Sequence, residues 1–281
     1  MDVYSIVTER IIAELEKGCI PWRKPWINCL EGTFNRITRK PYSLLNQLLL
    51  GRSGEWATYK QWQTIGGQVR RGEEGSVVVF WKLKEIQERD DNGEKKNKNI
   101  PILRYYTVFH SSQVENILPL VPVEVEYDTQ PIERADMMLR EYIEREKIEL
   151  NIGISNRAYY SPAKDSINLP VMSQFESAEE WYSTAFHEAG HSTMKKSRCD
   201  REEENKGNYF GNEGYSREEL VAELTSSFIL NTLGIETSET FKNNAAYVQN
   251  WLRVLKEDKK LIVLAAGKAE KAANYILNRN T

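Results

Sequence analysis

One short pattern, His187-Glu188-Ala189-Gly190-His191, constrains the fold of this 281-residue chain more than any other feature. The segment around it, residues 178–196, contains no proline and predicts a helix. Residues four apart share a helix face, so both imidazoles can reach one metal ion while Glu188 leans towards it. A shuffled chain of this composition would contain H-E-x-x-H about 0.004 times. We therefore interpret the pattern as a metal site rather than as two surface histidines.

A zinc site of this type needs a third protein ligand. The segment Glu219-Leu-Val-Ala-Glu223 resembles the E-x-x-A-[DE] pattern of gluzincin-type metallopeptidases. The resemblance implies that Glu219 binds the metal and that Glu223 orients a ligating histidine, with the exchanged roles as the main alternative. Ser216 followed by Glu219 also fits a capping box, so an ordinary acidic helix start remains the other interpretation.

The expected chemistry is that of a zinc-dependent peptidase. Bound Zn²⁺, or Mn²⁺ or another divalent ion, would lower the pKa of a water molecule, and Glu188 would be the catalytic residue that accepts its proton. The resulting hydroxide would attack an amide carbonyl. The segment Tyr159–Leu169 predicts a hairpin, and its edge strand would bind an extended peptide, as in zincins generally.

Charge is distributed unevenly along the chain. Residues 1–120 carry 18 Lys and Arg against 14 Asp and Glu, and residues 121–281 carry 20 against 27. The first half also holds five of the seven tryptophans. This asymmetry suggests that the N-terminal half binds a polyanion.

Cysteine usage and hydropathy bear on the compartment. Cys19, Cys29 and Cys199 form no CxxC pair and leave one cysteine over in any disulfide scheme, which favours a reducing compartment. The first 18 residues lack the features of a signal peptide, and no apolar run is long enough to span a membrane. We expect a cytoplasmic protein without a membrane partner.

The predicted fold class is α+β with two domains. Residues 1–118 form a small α+β domain, residues 119–131 a proline-framed acidic linker, and residues 132–281 a mostly helical, gluzincin-like domain with a short β-sheet. Within the first domain we expect helices at 3–17, 44–50 and 58–65, and strands at 76–81 and 102–109. The charged segment Glu88–Asn99 is expected to be a loop between the two strands.

Aromatic and basic residues interleave in the N-terminal half. Single-stranded nucleic acid is bound by stacking bases on aromatic rings in a positive groove, and this composition fits such a groove. Burial in a small core is the alternative, and we prefer it for Tyr4, Trp56 and Phe80. The candidate DNA-binding residues are Trp22, Arg23, Lys24, Trp26, Arg39, Lys40, Tyr42, Tyr59, Trp62, Arg70, Arg71, Lys82, Arg104 and Tyr106.

Taken together, the motifs resemble those of the ArdC family of antirestriction proteins, which mobile elements encode. In the N-terminal half the matching segments are DVYSIVTERII, PWRKPW at 21–26, KPY at 40–42, GGQVRRG at 66–72, VFWK at 79–82 and RYYTVF at 104–109. In the C-terminal half they are YSP at 160–162, FHEAGH at 186–191 and EELVAE at 218–223. The resemblance implies an N-terminal domain that binds single-stranded DNA, shared with TraC-type primases, and a zincin-like C-terminal domain.

Two functions follow from this resemblance. In the first, the chain binds single-stranded DNA and cleaves DNA-bound or restriction proteins, as DNA-dependent repair proteases do. In the second, the chain only coats single-stranded DNA, and the zincin domain is a metal-stabilised scaffold. Primase chemistry is disfavoured, because the eight aspartates are scattered.

Overall fold

The computed structural model describes residues 2–17, 33–89, 95–118, 120, 131–202, 213–235 and 245–279. The helices in these ranges are α1 (Val3–Glu16), α2 (Leu44–Leu50), α3 (Tyr59–Thr64), α4 (Pro131–Glu146), α5 (Ala178–Ser192), α6 (Glu213–Leu233), α7 (Ala245–Glu257) and α8 (Leu261–Ile276). The strands are β1 (Thr33–Asn35), β2 (Gly54–Thr58), β3 (Gln68–Val69), β4 (Ser76–Arg89), β5 (Lys95–His110), β6 (Val114–Glu115), β7 (Glu149–Gly153), β8 (Tyr159–Ser161) and β9 (Ser166–Pro170). This mixture of helices and strands confirms the α+β class.

The N-terminal half is built on a four-stranded sheet in the order β1-β2-β5-β4. Strands β4 and β5 form a long antiparallel hairpin that is paired from Ser76↔Val108 to Arg89↔Lys95. The loop expected at Glu88–Asn99 is therefore wrong at both of its ends, since Glu88, Arg89 and residues 95–99 are in strands. The register sets Glu88 opposite Lys96.

Side-chain caps mark where helices begin in this half. Asp2 accepts a hydrogen bond from the Ser5 backbone N–H at the start of α1. Thr58 and Gln61 form a reciprocal capping box on α3. The helices expected at 3–17, 44–50 and 58–65 are all present within one or two residues.

The C-terminal half combines helices with a three-stranded sheet in the order β7-β9-β8. Strand β9 pairs in parallel with β7 and antiparallel with β8, so β8 lies at an edge of the sheet. Helix α5 packs between this sheet and α6. Trp181, Ala185 and Phe186 are buried on its core face. The predicted hairpin between Tyr159 and Leu169 is confirmed.

Helix α6 begins earlier than the sequence suggested. It starts at Glu213, so Ser216 lies inside the helix and does not cap it. The capping box expected between Ser216 and Glu219 is therefore wrong. The Glu219 side chain is therefore not needed to cap the helix.

One hydrophobic cluster joins the two halves of the chain. It contains Val7 and Ile11 of α1, Val79 of β4, and Leu220 and Leu224 of α6. The Thr8 hydroxyl also donates to the Lys259 carbonyl oxygen at 2.7 Å. The two halves thus share a core, although most of the expected linker at 119–131 lies outside the described residues. Among the residues that the structure describes, no helix is long and apolar enough to cross a membrane.

Candidate metal centre and aromatic surface

Three potential metal ligands converge from helices α5 and α6. The Nε2 atoms of His187 and His191 are 3.1 Å apart. Glu219 faces both rings, with Oε2 at 3.5 Å from His187 Nε2 and Oε1 at 3.2 Å from His191 Nε2. These three residues form the group of possible ligand atoms found among the described residues. The sequence predicted the same three residues.

The spacing of these atoms fits a divalent ion. A tetrahedral ion with bonds of about 2.0–2.1 Å holds its ligands about 3.3–3.4 Å apart. The observed separations of 3.1, 3.2 and 3.5 Å bracket that value. Two imidazoles and a carboxylate are also a donor set that divalent zinc or manganese accepts.

Electrostatics at this site favour a cation. Burial alone would lower the pKa of His191, but the Glu218 and Glu219 carboxylates, which accept hydrogen bonds from its ring, outweigh burial and raise the pKa to about 10. Burial opposes ionisation of Glu219, yet His187 and His191 hold its pKa well below the usual range. The same negative charge that favours a proton on His191 attracts a divalent ion in its place.

Behind His191, a buried ion pair connects the segment that follows α5 to α6. Glu218 Oε1 lies 3.7 Å from His191 Nδ1. Arg201 holds Glu218 with two contacts, Nη2–Oε1 at 2.7 Å and Nε–Oε2 at 3.2 Å. The sequence reasoning missed this pair because Arg201 lies outside both helices. Glu223, to which the sequence assigned the orienting role, is half-buried one turn further along α6, and its role stays a prediction.

The general-base candidate Glu188 is held by the edge strand. The Tyr160 backbone N–H donates to Glu188 Oε2 at 2.8 Å. Tyr160 pairs with Ile167 of β9, and its N–H points away from that strand towards the free edge. Glu188 is 7% exposed, so the carboxylate held by this hydrogen bond is largely shielded from solvent.

A charge cluster clamps the β8–β9 hairpin to the end of α5. Asp165, in the turn, accepts hydrogen bonds from Arg198, Lys195 and the Tyr160 hydroxyl. Burial opposes ionisation of Asp165, but these three donors outweigh it and hold the pKa at about 2. Arg198 also donates to the Ser192 carbonyl oxygen at 2.9 Å. The hairpin that orients Glu188 is therefore tied to the helix that carries it.

In the N-terminal half, aromatic side chains line the surface of the β4–β5 hairpin. Alternation along the strands sorts them onto two faces. Phe80 and Tyr106 share one face, with ring centroids 5.9 Å apart. Trp81 and Tyr105 point to the opposite face, which also bears the buried Val79. All four aromatic rings are between 44 and 52% exposed.

The candidate DNA-binding residues differ in how exposed they are in the structure. Trp62 is fully buried and donates its indole N–H to the Phe109 carbonyl oxygen, so it is a core residue and cannot stack on a base. Tyr42 is 5% exposed and accepts a hydrogen bond from Asn35. Arg70 is exposed but contacts Glu73 and the Ser112 carbonyl oxygen. Among the residues placed in the core by sequence, Trp56 is buried as expected, whereas Phe80 is exposed.

The remaining candidates fall into two groups. Those on the exposed surface are Arg39, Lys40, Tyr59, Arg71, Lys82, Arg104 and Tyr106. Trp22, Arg23, Lys24 and Trp26 lie outside the described residues. Alternation along β4 does not predict the exposure of Phe80, because Val78 on the same face is fully buried.

Both halves of the chain match known protein families. Residues 1–109 match the N-terminal domain of the anti-restriction factor ArdC, and residues 137–268 match a zincin-like metallopeptidase domain. A DNA primase TraC of Escherichia coli is 37% identical over 292 residues, which cover 96% of this chain. The chain spans only 26% of that primase. The uncharacterised protein y4eC of Sinorhizobium fredii is 32% identical, with 98% of this chain and 91% of that protein covered.

Two solved structures are similar over essentially the whole chain. The metal-free crystal structure of the antirestriction protein ArdC from plasmid R388 is 36% identical, with a TM-score of 0.75 and full coverage of both chains. Its Mn(II)-bound form gives 34% identity and a TM-score of 0.76, with 99% of this chain and 98% of that chain covered. The bound Mn(II) in that relative and the zincin-like match here indicate a divalent metal. This chain therefore belongs to the ArdC family of antirestriction proteins.

Proposed function

We propose that this protein is an antirestriction factor of a mobile element that binds single-stranded DNA and cleaves proteins bound to that DNA. The observation that carries the peptidase part is the convergence of His187, His191 and Glu219 beside Glu188. A purely structural metal site has no need of a carboxylate between its histidine ligands. We favour Zn²⁺ as the ion, with Mn²⁺ as the alternative.

The residues divide the work of amide hydrolysis. His187, His191 and Glu219 would hold a divalent ion, which would supply an activated water molecule and a Lewis acid for the carbonyl group. Glu188 accepts the proton of that water through one carboxylate oxygen, while the other is held by the Tyr160 N–H. Glu188 then returns the proton to the leaving amine. The low exposure of Glu188 strengthens both its electrostatic and its hydrogen-bonding interactions.

The edge strand supports binding of an extended peptide. In an antiparallel pair, the N–H and C=O of one residue point to the same side. Because the Tyr160 N–H is directed to the free edge, its carbonyl oxygen is directed there too, where a substrate N–H can bond to it. Tyr159, 49% exposed on the same strand, offers an apolar neighbour for a substrate side chain.

Binding of single-stranded DNA rests on the N-terminal half. The exposed rings of Phe80, Tyr106 and Tyr59 lie near the exposed cations Lys40 and Lys60. Rings that stack on bases, flanked by cations for phosphates, are the elements of sequence-tolerant binding to single strands. We expect the affinity to fall steeply between about 50 and 200 mM salt, because each phosphate contact releases counterions.

A cleavage assay tests the proposed function. Wild type and Glu188→Gln are each incubated with Zn²⁺ or Mn²⁺, with and without single-stranded DNA, alongside DNA-bound proteins as substrates. Glutamine keeps an acceptor for the Tyr160 N–H but cannot take a proton, so it is a matched control. We expect cleavage by wild type only, stimulated by DNA. If wild type binds metal and DNA but cleaves nothing, the protein is instead a DNA-coating protein with a scaffold domain.

A further inference from the structure

A recess of about 880 Å³ opens on one face of the β4–β5 hairpin. Its aromatic walls are Tyr42, Tyr59, Phe80 and Tyr106. Phe80 contacts both Tyr42 and Tyr106, with ring centroids 6.1 and 5.9 Å apart. These contacts fix the rings in place, so the recess offers a preformed apolar surface rather than one assembled on binding.

The rim of the recess is positive. Lys40 and Lys60 border it and are exposed, and neither has an ion-pair partner within the described ranges. None of the described residues that line the recess is acidic. An apolar recess with unpaired cations at its mouth is complementary to an apolar ring attached to a negative backbone.

Hydrogen-bond donors also remain in the recess. Gln61 Oε1 accepts from the Thr58 backbone N–H and from Asn35 Nδ2, at 2.9 and 3.2 Å. The Gln61 amide nitrogen is thereby oriented, and it has no hydrogen-bond partner among the described residues. The Tyr42 hydroxyl oxygen accepts from Asn35 Nδ2 at 3.2 Å, which leaves its own proton to donate.

We propose that this recess takes one unpaired nucleobase of single-stranded DNA, which stacks on Phe80 and Tyr106 and accepts a hydrogen bond on its carbonyl oxygen from Gln61. This inference rests on the proposed binding of single-stranded DNA and adds where and how a base is held. A paired base in a duplex is stacked on both sides and cannot enter, so the recess selects single strands. Thymine offers two carbonyl oxygens to this donor, whereas adenine offers only ring nitrogens, so we expect thymine to be preferred over adenine.

The two faces of the hairpin supply matched variants. Phe80→Ala and Tyr106→Ala remove rings of the recess, whereas Trp81→Ala and Tyr105→Ala remove equally exposed rings from the opposite face. Binding of labelled 20-nucleotide oligo-dT is measured by fluorescence anisotropy, with thermal melting to check folding. Stacking contributes about 1–3 kcal/mol per base to the binding free energy, so each recess variant should weaken binding about tenfold. The opposite-face variants should stay within about twofold of wild type.

The outcomes separate this inference from the proposed function. If wild type binds oligo-dT and only Trp81→Ala and Tyr105→Ala weaken it, the DNA lies on the other face and the recess proposal is overturned, while DNA binding stands. If wild type binds no single-stranded DNA at all, the proposed function fails together with the recess.

Gln61→Glu tests the hydrogen bond to the base. The carboxylate keeps both acceptor contacts, to Thr58 and Asn35, but loses the amide donor. Its added negative charge weakens oligo-dT and oligo-dA alike, so the ratio of the two affinities isolates the lost hydrogen bond. Wild type should prefer oligo-dT, and the variant should lose that preference. An unchanged ratio would overturn the role of Gln61.

Discussion

Gly190 and Ala222 bring helices α5 and α6 into backbone contact beside the candidate metal ligands. A Cβ atom placed on Gly190 would lie 3.2 Å from the Ala222 Cα and 3.3 Å from the Thr225 Cβ. A shift of a few tenths of an ångström would therefore be needed to admit even one methyl group. Because α5 carries His187 and His191 and α6 carries Glu219, this close approach sets the distance between the ligands.

Gly190→Ala should push the two helices apart. We expect a loss of about 1–3 kcal/mol in the free energy of unfolding from overpacking, and weaker metal binding. Gly267→Ala in α8 is the control, because nothing lies within 4 Å of its added Cβ. This control should gain about 0.5–1 kcal/mol, since alanine favours the helix. Urea titration of both metal-free variants checks the prediction, and equal effects would contradict it.

The Arg201–Glu218 pair should matter for stability in the metal-free protein. Arg201→Met removes the guanidinium that forms two contacts with the buried Glu218 carboxylate, and we expect a loss of about 3–5 kcal/mol. The double variant Arg201→Met/Glu218→Met should recover part of this loss, because no charge is then left uncompensated. Arg253→Met removes an exposed pair with Glu257 and should change stability by less than about 0.5 kcal/mol. Failure of the double variant to recover any stability would argue against the ion-pair explanation.

His110 should make stability depend on pH. Burial, followed by the charge of the nearby Arg52, lowers the pKa of His110 to about 4. Its pKa in the unfolded chain is about 6.5, so the unfolded state takes up this proton first as the pH falls. The free energy of unfolding should therefore decrease between pH 6.5 and pH 4. Urea midpoints across this range should fall more steeply for wild type than for His110→Asn, and parallel curves would contradict the assignment.

The sequence predicted most helices and the pairing of His187 with His191 on one face, because those features depend on local spacing. Glu219 was reached only through the resemblance of Glu219-Leu-Val-Ala-Glu223 to the gluzincin pattern, and its role as a metal ligand stays a prediction. The hairpin at Tyr159–Leu169 was equally readable, from its turn and its alternating residues. Its hydrogen bond to Glu188 was not, because Tyr160 contributes a backbone N–H that no side-chain pattern encodes.

The errors arose where distant contacts decide the outcome. Trp62 and Phe80 both sit in aromatic, basic surroundings, yet one is in the core and the other on the surface, according to the faces of α3 and β4. Arg201 meets Glu218 through tertiary packing, and the pair has no sequence motif. The shared core of α1, β4 and α6 was also unpredictable, because the acidic segment at 119–131 suggested two separate cores.

Metal binding by two glutamate variants tests the central claim most directly. Glu219 faces both histidines, and Glu223 lies one turn further along the same helix, so Glu219→Gln and Glu223→Gln change the same group at neighbouring positions. Isothermal titration of wild type and both variants gives three affinities for Zn²⁺ and three for Mn²⁺. Loss of a ligand should lower the metal affinity of Glu219→Gln by at least about a hundredfold. Loss of an outer contact should lower the metal affinity of Glu223→Gln by about 10- to 100-fold at most. Wild-type affinity in Glu219→Gln, or the larger loss in Glu223→Gln, would contradict the assignment of Glu219 as the third ligand.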